Sequence, residues 1–513
     1  MGSWWGRAAR AYALAPVRGV AVTAGGVGLA LAAGAVAASG PWHGGQRAAE
    51  RGRENAQLNG VVAVRPWPVP APRWYPAQDV LQPADVSPVT SPTGSTGSTG
   101  STTPTAPPAP LPSAKGLATA LAPALSASAL GKVTASIVDV ATGRTLYASG
   151  ASIPLLPAST NKIATSAAAL SLLGPEHRFS TTVVSAGPGR ITLVGGGDPT
   201  LTAAPTHGTD PQASLATLAD RTAAALKAAG TVKVSLGYDI SLFSGPAVHP
   251  IGINDNIALV QALTVDEGRR DPHSIENAPR YADPAATAAS DFAVMLRKRG
   301  ITVHGQPTRT TAGQASGQAA APQAAAPLAR VDSQPLNEIV ERMLTDSDND
   351  IAETLGHQVA LAAHRPATFA GGAAAVKQQL TGLGVPLGGT RLSDASGLSS
   401  QDVIPAAVLT RLLVLAASPA HPELRAIVSG LPVAGFTGTL DTRYSGSDSS
   451  PGLGLVRAKT GTLQTVNTLA GLVLDHDGRL LAFAFMSNGS GPAASARDAL
   501  DRLAGRVAVC GCH

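Results

Sequence analysis

The chain has 513 residues, 44% of them hydrophobic and only 14% charged, so it is too long for one ordinary domain and has ample material for buried cores. Its formal net charge of +5 is thinly spread, with no dense Lys/Arg stripe and no aromatic platform for bases, which argues against a nucleic-acid partner. Only eight of the 38 basic residues are lysine, so a lysine tends to mark a position that needs an amine and not merely a cation.

Residues 1–18 carry Arg7, Arg10 and Arg18 and no acid, and an apolar stretch follows over residues 19–38. This is the pattern of an export segment, with Ala35-Val36-Ala37 fitting a cleavage site. The stretch is also almost long enough to anchor the chain in a membrane. Residues 1–40 are therefore expected to be a signal peptide or a membrane anchor, and the rest is expected outside the cytoplasm, membrane-anchored or secreted. Residues 41–114 are expected to form a disordered Pro/Ser/Thr/Gly-rich linker, because 87–113 have no apolar period with which to pack.

The folded part is expected from near Gly116. Residues 132–148 alternate around a Thr-Gly turn and predict a β-hairpin. Residues 159–173 predict a helix stopped by Gly174-Pro175, and 181–194 are strand-like. Helical segments are expected near 211–229 and 284–299, followed by an Ala/Gln/Gly-rich spacer at 312–327 and helices at 335–345 and 350–363. Residues 453–488 predict β-hairpins, with Asp477-Gly478 at one turn. Strands at both ends with helices between predict an α+β catalytic domain made from 115–195 and 328–513, with 196–327 as an inserted accessory domain. Cys510 and Cys512 build no disulfide framework; a frayed tail, a local disulfide and an intermolecular bridge all remain open, while a metal site with His513 lacks a fourth ligand and rigid support.

Three short elements carry chemistry. In Ser159-Thr160-Asn161-Lys162 the first and last residues share a helix face, so the lysine amine can reach the serine hydroxyl and take its proton once its own pKa is depressed. In Ser347-Asp348-Asn349, set in a break between two helices, the hydroxyl can relay a proton and the amide can hold a carbonyl. The bland reading is an Asx turn capping the next helix. In Lys459-Thr460-Gly461-Thr462, at a strand start, the lysine supplies a second cation, Thr460 a donor, and Gly461 room for a substrate backbone. Each is weak alone. Together, in this order, Ser-x-x-Lys, Ser-Asp-Asn and Lys-Thr-Gly are the signature of penicillin-binding proteins and class A β-lactamases.

The 188 residues between Ser159 and Ser347 call for an insertion, and with it the chain resembles the class C low-molecular-weight penicillin-binding proteins, the D-alanyl-D-alanine carboxypeptidase/endopeptidase family. GGGDPTL at 195–201, DNDIAETL at 348–355, DASGLSS at 394–400, LPVAGFTGTLDTR at 431–443 and RAKTGTLQTVNTLAG at 457–471 also resemble it. The likeness runs from about 115 to the end, and the insertion is shorter than in the fullest members. It implies a transpeptidase-type fold, an antiparallel sheet flanked by helices, with Ser159 acylated, Lys162 as its base, and Ser347 and Lys459 as proton-relay and electrostatic partners. It also implies that Asn349, Thr460, Gly461 and Thr462 hold the substrate and that the N–H groups of Ser159 and Thr462 form the oxyanion hole. Peptidoglycan stem peptides are the implied substrates and β-lactams the implied covalent inhibitors, with no cofactor and no metal. The rival readings are a β-lactamase-like hydrolase, which needs a water-activating glutamate that is not apparent, and a non-catalytic muropeptide-binding envelope protein, which predicts a broken motif. None of the three is broken.

Overall fold

The structure, a computed structural model, describes residues 109–206, 211–274, 277–312 and 327–512. The expected export segment at 19–38, most of the expected linker and most of the 312–327 spacer lie outside the described residues. Among the described residues no helix is long and apolar enough to cross a membrane.

One antiparallel sheet is built from both ends of the chain. Strand β1 (Lys132–Asp139) pairs with β2 (Thr145–Ser149) on one side and with β12 (Leu480–Asn488) on the other. Strands β11 (Val466–Leu474) and β10 (Val456–Leu463) complete the order β10-β11-β12-β1-β2. In β11 and β12 nearly every residue is buried, so the hydrophobic runs are continuous and not alternating. Such runs need cover on both faces of the sheet.

The terminal helices supply the cover on one face. Helix α1 (Ala114–Leu125) turns Leu117, Leu121 and Ala124 inward, and α10 (Ala493–Ala508) adds Leu500, Leu503 and Val507. They join Ile137, Leu469, Phe483 and Phe485 in one core. The Ser113 side chain caps α1 by accepting from Gly116 N, Ser113 N donates to Cys512 O, and Arg479 donates to Ala109 O at 3.1 Å. The ordered fold therefore starts before residue 116, inside the stretch assigned to the linker, because a capped amphipathic turn follows directly on the low-complexity run. Cys510 is buried and joined to Cys512 by a disulfide, and Cys512 O accepts from Ser113 N, so the tail is held and not frayed although Val509 is exposed.

The other face is covered by α2 (Lys162–Leu173), α5 (Leu336–Asp346), α6 (Asn349–Ala362), α7 (Phe369–Gly382), α8 (Ala406–Ala416) and α9 (Arg425–Gly430), which meet the sheet at Ala470, Leu472, Ala482, Ala484 and Met486. The short pair β3 (Pro154–Leu155) and β9 (Ile404–Pro405) joins the segments before α2 and α8.

A second sheet with its own core has the order β7-β6-β5-β4-β8, from β4 (Ser180–Ser185), β5 (Arg190–Val194), β6 (Lys233–Asp239), β7 (Thr302–Arg309) and β8 (Ala329–Asp332). Helices α3 (Leu215–Ala228) and α4 (Pro284–Lys298) are the crossovers of its parallel pairs β5–β6 and β6–β7. This sheet spans 180–332 and not 196–327. Residues 181–194 are strands as expected, but they pair with β6 and β8. Alternation predicts a strand without naming its partner.

Candidate active site

Ser159 does not sit in the first turn of α2. It lies on a 3-10 turn, Ala158–Asn161, that leads into the helix at Lys162, and Ala158 is held at φ 48°. A non-glycine residue there is strained and persists only when its surroundings over-determine it. Two glycines close on this turn. A Cβ on Gly397 would lie 1.9 Å from Ala158 O, and one on Gly461 would lie 2.7 Å from Pro157 O and 2.1 Å from Thr468 Oγ1. Gly461 is thus required by the packing of β10 against the Ser159 turn, whereas the sequence reading assigned its freedom to the substrate.

Lys162 is fully buried, and its Nζ donates to Ser159 Oγ at 2.9 Å, Asn349 Oδ1 at 2.7 Å and Ser396 O at 3.0 Å. Burial pulls its ammonium down to about 8, against the opposing pull of Asp348, Asp394, Glu353 and Asp350. When the amine is neutral, the same geometry lets the Ser159 hydroxyl donate to it.

The Ser-Asp-Asn turn brings two functions together. Ser347 ends α5 in the left-handed conformation, φ 61°, and faces the Ser159 cleft. Asp348 caps α6 by accepting from Ile351 N, as an Asx turn would, and Asn349 turns back to Lys162. The second-sheet region grips this turn from outside. Arg269 Nη2 meets Asp348 Oδ2 at 3.1 Å, Arg280 Nη2 meets Asp350 Oδ2 at 2.8 Å, and Asn349 Nδ2 donates to Asn256 O at 3.1 Å.

Lys459 is fully buried on β10, its Nζ donating to Thr460 O at 2.9 Å. Burial first, then the charge of Lys162, pushes its ammonium well below the ordinary lysine value. Among the described residues no hydrogen bond joins Lys459 or Ser347 to Ser159. The tight link runs from Ser159 through Lys162 to Asn349. Ser159, Ser347, Thr439, Thr460, Thr462, Arg443 and Arg497 line one cleft of about 270 Å³. Thr439 and Thr460 are hydroxyl partners at 2.8 Å, and Arg443 is held by Asp501 at 2.6 Å. Among the described residues larger cavities, of about 390, 410 and 620 Å³, lie elsewhere and contain no residue of the three motifs.

Among the described residues two buried clusters have the residue types of metal sites. Glu267, Asp348 and Asp350 face Arg269, Arg280 and Arg342, which already supply the countercharge. In the cluster of His249, Glu353 and Asp394, the imidazole Nδ1 accepts from Ile251 N at 3.3 Å. The ring proton therefore sits on Nε2, the nitrogen a metal would need bare.

The profile of the D-Ala-D-Ala carboxypeptidase 3 (S13) family matches residues 117–279 and 268–507. The chain belongs to this S13 family. Carboxypeptidase DacB of Mycolicibacterium smegmatis is 38% identical over 413 residues, 78% of this chain and 85% of that protein. The D-alanyl-D-alanine carboxypeptidase of an Actinomadura species is 31% identical over 460 residues, 72% of this chain and 80% of that one. In fold the chain is similar to penicillin binding protein 4 of Haemophilus influenzae, with TM-score 0.60 and 24% identity over 77% of this chain and 97% of that one. A second structure of that protein is a complex with a β-lactam.

Several residues of this S13 site escaped the sequence reading. Ser396, Glu353 and Asp394 lie in stretches that had been matched to the family without any role. Arg443 ends another such stretch. Arg497, on α10, carried no signal, and neither did His249.

Proposed function

We propose that this S13 protein is a serine D-Ala-D-Ala carboxypeptidase of the cell wall that works through an acyl-enzyme on Ser159. The observation that carries the reading is the 2.9 Å contact between Ser159 Oγ and a buried amine drawn down to about 8. Ser159 Oγ attacks the carbonyl carbon of the penultimate D-Ala of a stem peptide, and its proton passes to Lys162 Nζ. The tetrahedral oxyanion is met by the N–H groups of Ser159 and Thr462. The C–N bond then breaks, and the leaving amine of the terminal D-residue takes a proton by way of Ser347, with Lys459 biasing the transfer. Water hydrolyses the ester and returns the Ser159 hydroxyl.

Thr460, Thr462 and the arginines Arg443 and Arg497 crowd the small cleft with donors, which suits a substrate that ends in a free carboxylate. This favours trimming of a terminal residue over cutting a cross-link. Asn349 orients the peptide, and Gly461 keeps β10 close to the nucleophile. β-Lactams acylate Ser159 in place of the peptide. The opened β-lactam ring stays tethered beside the ester and obstructs the water that hydrolyses the peptide acyl-enzyme, so the adduct persists, in contrast to a β-lactamase. The apolar stretch at 19–38 and the Pro/Ser/Thr/Gly-rich stretch after it support an exported enzyme held at, or released from, the outer membrane face, where peptidoglycan lies.

Intact-mass measurement after penicillin treatment tests the reading. The expected result is one stable adduct on Ser159, absent in Ser159→Ala. Rapid turnover of the drug, or an adduct on another residue, overturns it.

A further inference from the structure

The cleft beside Ser159 is unevenly charged. Among the residues that line it, Arg443 and Arg497 are cations and none is an acid. The two motif lysines lie behind it. Both are fully buried, with Lys162 Nζ held by Ser159, Asn349 and Ser396 and Lys459 Nζ by Thr460 O. The hydroxyls of Thr439 and Thr460 face each other at 2.8 Å, so one proton of that pair is already in use.

The two arginines differ in what holds them. Arg443 Nη2 donates to Asp501 Oδ1 at 2.6 Å and its Nε to Oδ2 at 3.1 Å, a two-point grip by a buried carboxylate. The same Nη2 donates to Arg497 O at 3.3 Å. Both partners lie on α10, whose apolar stripe of Ala496, Ala499, Leu500 and Leu503 is buried. Arg497 stands beside that stripe and is exposed. It precedes Asp501 by four residues, the spacing at which an acid and an arginine on one helix meet. Here Asp501 is taken by Arg443, and among the described residues the Arg497 side chain has no ion pair and no hydrogen bond.

We infer that Arg497 is the residue that reads the free α-carboxylate of the leaving D-residue, while Arg443 fixes the helix backbone from which it projects. The inference deepens the carboxypeptidase reading and rests on Ser159 as the acylated nucleophile. A guanidinium fork matches a carboxylate with two parallel hydrogen bonds, and an anion entering a cleft lined by no acid meets no like charge there. Arg443 can offer its fork only by releasing Asp501, which would then stay buried and unpaired. Arg497 gives up only water. A peptide whose leaving residue ends in an amide lacks this contact, and so does a β-lactam whose carboxylate is esterified.

The test uses the full chain and two matched pairs of probes. One pair is a synthetic stem peptide ending in D-Ala-D-Ala and its C-terminal amide; the other is a penicillin and its methyl ester. The readout is the ratio of the acid's rate to its neutral partner's, as kcat/KM for the peptides and as the Ser159 acylation rate, followed by intact mass, for the penicillins. The wild type should favour the acid in both pairs. Arg497→Gln should lower both ratios by roughly 10–100-fold, the factor that a hydrogen bond to a charged group supplies. Its place on the helix surface should leave the melting temperature near that of wild type. Arg443→Gln strands Asp501, so it should lower the melting temperature and change the ratios less than Arg497→Gln does. Unchanged ratios in Arg497→Gln, a larger fall in Arg443→Gln, or a wild type that does not tell acid from neutral partner overturns the inference and leaves the Ser159 reading intact. Absence of any Ser159 adduct in wild type overturns both.

Discussion

Arg269 Nη2 lies 3.1 Å from Asp348 Oδ2, with both side chains buried, so the central residue of the Ser-Asp-Asn turn is tied to a segment between β6 and α4. The same guanidinium meets Glu267 at 2.5 Å. The inserted region, with its own sheet and core, therefore buttresses the Ser-Asp-Asn turn, and its loss would be felt at Asn349.

Breaking this pair should cost more than its formation contributed. Arg269→Ala leaves Asp348 and Glu267 buried without their shared cation, a change that typically costs about 3–5 kcal/mol. The expected outcome is a clear fall in the denaturation midpoint together with slower penicillin labelling, as the Asn349–Lys162 bond loosens. Unchanged stability would mean that water reaches the carboxylates and that the clamp is weaker than its burial implies.

The acylation rate should depend on pH through Lys162. Only the neutral amine accepts the Ser159 proton, and its ammonium is held at about 8. Acylation should therefore be slow at pH 6, rise about tenfold per unit and level off above pH 8. Lys162→Ala should lower the rate by about 10²–10⁴-fold and abolish this dependence. Stopped-flow labelling across pH 6–9 is the measurement, and a flat wild-type profile would count against the lysine as base.

Acid stability should draw on Asp139. Its carboxylate receives Arg479 Nε at 2.6 Å and Nη2 at 2.8 Å and caps the β1–β2 turn through Thr142 N at 2.9 Å. The Arg479 hydrogen bond leads in lowering its pKa from 3.8 to about 2, against burial. A depressed carboxyl pKa stabilises the fold above the unfolded value and loses that contribution as pH falls through the folded one. Asp139→Asn should thus lower stability at pH 7 by about 1–2 kcal/mol, after allowance for solvent screening. The gap to wild type should close between about pH 4 and 2. Parallel thermal melts at pH 7 and pH 2.5 check the sign.

Much of this architecture is written in local pattern. The Thr-Gly turn after β1, the Asp477-Gly478 turn before β12 and the helices around the Ser-Asp-Asn break all fall within a few residues of where periodicity puts them. The three motifs converge because their spacing demands an insertion and their chemistry demands a meeting. What local pattern lacks is partnership. The alternation of 181–194 is equally at home in either sheet, and only the pairing of β4 with β8 assigns it. Helix α1 directly follows a low-complexity run, which hid its cap at Ser113. His249 is one histidine among 11, and the two carboxylates beside it lie more than 100 residues away in the chain.

Gly461 separates a structural from a substrate-binding role most sharply. If its freedom serves an incoming peptide, Gly461→Ala should weaken substrate binding and leave the fold as stable as before. The geometry says otherwise. The added methyl would face Thr468 Oγ1 at 2.1 Å and Pro157 O at 2.7 Å, and the second is a backbone atom that cannot rotate away. Thr468 Oγ1 itself donates to Pro157 O at 2.8 Å, so the clash strikes the bond that anchors the Ser159 turn to β11. Relief requires β10 to move away from the nucleophile, taking Thr460 and Thr462 with it. A shift of about 1 Å at a reacting site can cost about 10²-fold, and overpacking typically costs about 1–3 kcal/mol. Gly461→Ala should therefore lower both the acylation rate and the melting temperature. Adding Thr468→Ala should restore only part of each, since Pro157 O remains. A variant with the wild-type melting temperature and a defect confined to KM would return the glycine to the substrate.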